Sequence, residues 1–187
     1  MGRGKSTNMR SHSYAPNTDN LPAPSAESMP FRRELPPNVP HTPGGYTGTV
    51  ICPRCHAIWE NKHWHLDEAQ YDRLREDADI EKVICPACEK IEREEFDGQV
   101  TLRSPLIPRN EEAILGLIYN TEASVRQDNP LARIASLEVK GDTVEILTIT
   151  PFLADRIGKE LRKAYDGQLD IKHSERARFT RVIWVRE

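Results

Sequence analysis

The chain has 187 residues, of which 29% are charged, with a formal net charge of −3 and a mean hydropathy of −0.64. That length holds one or two small domains with a modest core, and no apolar run approaches the roughly 20 residues that span a bilayer. A pI near 6.1 lies below that of most dedicated nucleic-acid binders. The charge is unevenly placed, however. Residues 60–97 carry thirteen Asp or Glu against six Lys or Arg, whereas residues 151–187 carry nine Lys or Arg against six acids. Arg3, Lys5 and Arg10 stand without an acid among the first ten residues. Nucleic-acid contact is thus permitted at the two ends and disfavoured in the acidic middle.

Residues 1–46 read as a disordered arm. Eight of the fourteen prolines lie there among Ser, Asn, Thr and Gly, and so few aliphatics cannot offset the entropy of ordering. Arg3, Lys5, Arg10, Arg32 and Arg33 make the arm mildly basic. A solvated leader and an RNA-contacting arm are both open readings. The start, Met1-Gly2-Arg3-Gly4-Lys5, has no hydrophobic stretch after its charges, so no secretory signal is expected.

Residues 47–104 form the expected metal module. The only four cysteines stand in two matched pairs, Cys52-Pro53-Arg54-Cys55 and Cys85-Pro86-Ala87-Cys88. Two such hooks supply the four thiolates of a closed tetrahedral Zn²⁺ site, with no position left for a catalytic water. A dithiol redox centre and iron remain the alternatives. Four thiols arranged for metal suit a reducing compartment, so a cytoplasmic location is expected. Thr47–Ile51 and Glu81–Ile84 enter the hooks as short strands, and Gly98–Arg103 reads as the strand that closes the ribbon. The 29 residues between the hooks exceed the usual spacing. They include a short polar helix over 66–78. His56, His63 and His65 are candidate substitute ligands. Trp59 and Trp64 either cover the small module's metal site or stack on bases.

Residues 105–187 read as a compact α-β-β-α-β-β unit. Asn110 caps a helix with Ile114, Leu115, Leu117, Ile118 and Val125 on one face, ended by Asn129-Pro130. Strands over 132–140 and 143–150 meet at Gly141-Asp142. Thr150-Pro151 opens a second helix, striped with Leu153, Ile157, Leu161, Ala164 and Tyr165 and stopped by Asp166-Gly167. Strands over 168–172 and 178–186 complete an α+β fold with helices on one face of an antiparallel sheet.

Phosphate-binding loops, dinucleotide fingerprints and nucleophile elbows are absent from the sequence, and a non-enzymatic role is expected. The binding surface is sought on the second helix. Arg156, Lys159, Arg162 and Lys163 fall within about 120° of arc opposite the apolar stripe. Arg176, Arg178, Arg181 and Arg186 lie in or near the last strands, with Phe179 and Trp184 between them. Basic residues interleaved with aromatics suit phosphate contact and base stacking. An ordinary solvated exterior, with Trp184 in the core, is the competing reading.

Several segments in order carry a resemblance. These are the two hooks with Trp64 nearby, Asn110–Leu115, Asn129–Ile134, Leu153–Leu161 and Arg181–Arg186. From about residue 50 onward the chain resembles a family of small bacterial zinc-ribbon proteins found among genes activated by low oxygen. More distantly it is similar to the zinc-binding part of nonsense-mediated-decay-three-type adaptors, which bind the large ribosomal subunit. Hooks of that family often end in glycine, where this chain has His56 and Glu89. The resemblance implies RNA or ribosome association, possible under low-oxygen stress. A protein-interaction adaptor and a thiol redox sensor are the alternatives. No membrane or small-molecule partner is expected.

Overall fold

The computed structural model describes residues 46–174 and 178–187. Of the expected N-terminal arm, residues 1–45 lie outside the described residues, as does Arg176. The described chain is α+β, with four helices and two sheets. No helix among the described residues is long and apolar enough to cross a membrane.

The first sheet has the order β3-β2-β1-β4, from β1 (Val50–Ile51), β2 (Ala57–Glu60), β3 (His63–Leu66) and β4 (Glu81–Lys82). A two-residue loop joins β2 to β3, and both loop residues, Asn61 and Lys62, have positive φ (52° and 66°). That geometry matches the twist of a tight hairpin. Helix α1 (Glu68–Leu74) is shorter than the expected 66–78. Asp67 caps it by accepting from the Gln70 amide at 2.8 Å, and Tyr71 is buried against Ile51 and Ile58. Helix α2 (Pro86–Glu92) follows β4. It ends where Glu94 turns left-handed (φ 57°) and the Glu95 amide donates to the Lys90 carbonyl, a six-to-one closure.

The second sheet has the order β6-β7-β5-β9-β8. Its strands are β5 (Gly98–Arg103), β6 (Ile134–Lys140), β7 (Thr143–Thr148), β8 (Gln168–Ser174) and β9 (Phe179–Val185). All pairs are antiparallel except β5 with β9. The register lines up two apolar rows across all five strands: Val139, Val144, Leu102, Trp184, Leu169 and Leu137, Ile146, Val100, Val182, Ile171. Helices α3 (Ile107–Asp128) and α4 (Pro151–Tyr165) cover these rows with Ile114, Ile118, Leu153, Ile157 and Leu161. The opposite face at the β6–β7 edge presents Ala135, Leu147 and Ile149 to the metal module.

One strand changes place relative to the sequence reading. Gly98–Arg103 does not close the ribbon; it is the middle strand of the second sheet, between β7 and β9. Val100 and Leu102 are fully buried under the helices, and Gln99 and Thr101 are buried on the other face. A strand covered on both sides belongs at the centre of a sheet, not at an edge. The long run of α3 starts at Asn110 as expected, where non-helical angles (φ −129°, ψ 25°) mark a kink; a single helical turn from Ile107 precedes it, and the Asn110 side-chain amide donates to the Leu106 carbonyl. The second helix starts as expected, with Thr150 accepting from the Leu153 amide, and it stops at Asp166-Gly167, both with positive φ.

Helix α4 sits close on the sheet because Gly158 has no side chain. A Cβ there would lie 2.4 Å from Val182 Cγ1 and 3.0 Å from Leu169 Cδ1. Alanine gains about 1 kcal/mol over glycine in an open helix, but overpacking a core costs about 1–3 kcal/mol. Gly158→Ala is therefore expected to lower the unfolding free energy by up to about 2 kcal/mol in urea titration. An unchanged or raised midpoint would show that β9 yields freely.

Candidate metal centre

The first hook grows from the end of β1. Cys52 donates its amide to the Ala57 carbonyl at 2.8 Å and accepts at its carbonyl from the His56 amide at 2.9 Å, which folds residues 52–57 into a knuckle. His56 closes that knuckle with φ 63°, the left-handed conformation that favours glycine. Its ring stacks on Tyr71 at 4.1 Å, and Nδ1 lies 2.9 Å from Glu68 Oε2. Local contacts thus hold a conformation that the residue type disfavours.

The second hook is built differently. Cys85 is the N-cap of α2, Pro86 takes the first turn, and the Cys88 amide donates to the Cys85 sulfur at 3.5 Å. A sulfur here does the work of a capping oxygen. The two hooks are therefore a knuckle and a helix start, not two equal knuckles. Glu89 lies inside α2, where glycine has no advantage.

Both hooks aim at one point. The four sulfurs lie within 4.8 Å of one another, with Cys52 to Cys88 at 3.8 Å and Cys55 to Cys85 at 3.5 Å. Sulfurs about 2.3 Å from a tetrahedral ion stand about 3.8 Å apart, so the set fits a four-coordinate metal. Cys52, Cys85 and Cys88 are buried and Cys55 is half-buried. The Cys85 amide also donates to the Cys52 sulfur at 3.4 Å. Hydrogen bonding from Cys55 and Cys85 pulls the Cys52 thiol down, while bonding to Cys52 pushes Cys85 and Cys88 up. At this spacing the sulfurs cannot all be anionic unless a cation sits between them.

A fifth residue reaches the centre from the second sheet. Arg133, in the segment between α3 and β6, donates from Nη1 to the Cys88 sulfur at 3.2 Å. Burial works to lower its pKa, but the charges of Cys88, Cys55 and Cys85 outweigh it and hold the guanidinium above its ordinary value. Arg133 falls within Asn129–Ile134, where nothing in the sequence assigns it a role. Forty-five positions separate it from Cys88, so no local spacing could reveal the contact.

The other sequence candidates disperse. Trp64 is buried, and Trp59, Trp64 and Tyr46 form a three-ring cluster with centroids 5.6–5.7 Å apart, which favours the packing role. His56, His63 and His65 are not among the clustered ligands. Trp184 is fully buried and donates to the Asp166 carbonyl at 2.7 Å, so it belongs to the core. Arg156, Lys159, Arg162 and Lys163 are all exposed on α4, as expected. The acids of that helix interleave with them: Arg156 pairs with Glu160 at 3.2 Å, Lys159 with Asp155 at 2.6 Å, and Lys163 with Glu160 at 3.9 Å. Arg178 is exposed at the start of β9.

No family model, no curated protein and no solved structure matches the chain.

Metal must compete with protons for these sulfurs. One metal per chain is expected at neutral pH and progressive release as pH falls, read by elemental analysis after gel filtration. Cys85→Ser is expected to abolish stoichiometric binding and to dissolve the ring cluster's near-ultraviolet circular dichroism. One retained metal per chain in that variant would show that the four sulfurs are not the ligand set.

Proposed function

We propose that the chain is a non-enzymatic zinc protein whose closed centre shapes an α+β domain for binding RNA, foremost on the ribosome. The convergence of all four cysteines carries the zinc part. A four-thiolate set with three buried ligands has no open position for substrate or water, which is the mark of a structural site. It also differs from a dithiol redox motif, where one exposed cysteine attacks. Iron in the same four sulfurs would betray itself by visible absorption, and zinc would not.

The RNA part rests on α4 and on the family resemblance. Arg156, Lys159, Arg162 and Lys163 share its outer face, and Arg162 has no ion pair among the described residues. The pairs that engage the other three are exposed contacts within one helix, worth about 0.3–0.5 kcal/mol each. Phosphates can displace them at little cost. Arg178 adds a further exposed cation, and Arg176 is the sixth candidate contact from the sequence.

A protein partner is the second reading, and one observation favours it. Phe152 on α4 and Tyr119 on α3 are 59% and 49% exposed, the most open large apolar side chains among the described residues. Capture of a single protein without RNA would support an adaptor.

Comigration with ribosomal particles is expected in a low-salt sucrose gradient. Each phosphate contact on single-stranded RNA steepens the salt dependence by about 0.7 log unit per decade, so four contacts give a slope near −3, on the order of a thousandfold per decade of salt. Reversing Arg162 and Lys163 to Glu should remove about half of that slope. Protein at the top of the gradient at low salt sinks the RNA reading.

A further inference from the structure

We propose that Arg133 is a latch between the metal centre and the second sheet: its guanidinium holds the Cys88 thiolate of the loaded centre, so that metal occupancy fixes the β6–β7 edge. The inference rests on the centre being metal-loaded.

The position of Arg133 supports this. Its side chain donates to Cys88 at 3.2 Å, while its carbonyl accepts from the Ile149 amide at 2.9 Å. The next residue, Ile134, donates its amide to Glu122 Oε1 at 2.8 Å, and the register of β6 slips between Ile134 and Ser136. The strand therefore begins with an irregular stretch tied to α3, to β7 and to the metal centre at once. Cys52, Cys85 and Cys88 also share one buried cluster with Ala135, Leu147 and Ile149. Loss of the ion would disturb the packing on both sides of that contact.

Charge points the same way. Arg133 Nε is buried with no acceptor, which a guanidinium does not tolerate without an anion nearby. The anion that its Nη1 touches is the Cys88 sulfur. Four thiolates around a divalent ion leave two negative charges, and one guanidinium at bonding distance offsets half of them. A donor on a ligating sulfur lowers the energy of its lone pair and slows its exchange. Partners of this kind alter metal affinity by about 10–100-fold.

Three measurements on the full chain test the latch. Metal release to a chromophoric chelator should be about tenfold faster in Arg133→Gln than in the wild type, and Arg133→Lys should recover part of the difference. In the cobalt-substituted protein, Arg133→Gln should move the sulfur-to-metal charge-transfer band to lower energy, a shift that mere loss of packing would not produce. Hydrogen exchange at the Ile134 and Ile149 amides should quicken when the wild type is stripped of metal, while the central strands β5 and β9 keep their protection. Unchanged release and an unchanged cobalt band in Arg133→Gln overturn the proposal. Should that variant not fold, equal protection of Ile134 and Ile149 in loaded and stripped wild type overturns it instead. A wild type that binds no metal refutes the zinc reading beneath it, and elemental analysis of the wild type separates the two failures.

Discussion

Everything in the metal module depends on four sulfurs meeting within 4.8 Å. The strands that lead into the hooks pair over only two residues, Val50 with Glu81 and Ile51 with Lys82, too short a ladder to stand without other support. Between the hooks, Ile58 and Tyr71 form only a minimal buried cluster, shared with Ile51 at the end of β1. A module this small lacks the buried area to fold by hydrophobic burial alone. An ion held by the four sulfurs would supply the missing stabilisation, because for such sites binding free energy is folding free energy. The strained φ at His56, held by its stack on Tyr71, is affordable only because the knuckle must present Cys52 and Cys55 together.

The module is nevertheless not a bead on a string. Three of its ligands are buried in a cluster that continues into Ala135, Leu147 and Ile149 of the second sheet. That sheet is covered by two helices on one face and by the metal module at one edge of the other. The centre therefore has neighbours that precede the first hook and others that follow α3 in the chain.

Much of this was legible in the residues. The alternation of Leu137, Val139, Val144 and Ile146, and of Val182 and Trp184, announced strands with one buried face, and the register confirms both rows. Thr150-Pro151 and Asp166-Gly167 bounded α4 because capping and chain reversal are local chemistry. The ligand set was legible because no cysteine was left over. What failed was long-range. Gly98–Arg103 was recognisable as a strand, but its partners lie in β7 and β9, at least forty residues downstream. The two hooks look alike in sequence, although Pro86 beside Cys85 already marks the second as a helix start. Nothing near Arg133 in the chain hinted at Cys88. On α4, Asp155 and Glu160 were in plain view among the cations, and only i,i+4 spacing was needed to pair them.

The placement of charge follows from the same architecture. The acidic excess of residues 60–97 belongs largely to the metal module, which contacts the sheet face opposite α4. A helix is about 10 Å across, and the Debye length at physiological salt is about 8 Å. The acids of the metal module are thus screened from the outer face of α4, and the net charge of −3 says little about the potential there. What sets that potential is local: four cations against Asp155 and Glu160, a net of two positive charges on a helix seated firmly by Gly158 against Val182. A rigid platform with a small positive surplus loses little conformational entropy on contact. On the proposed RNA reading, such a face would meet a phosphate backbone without the strong nonspecific attraction that a polybasic chain exerts.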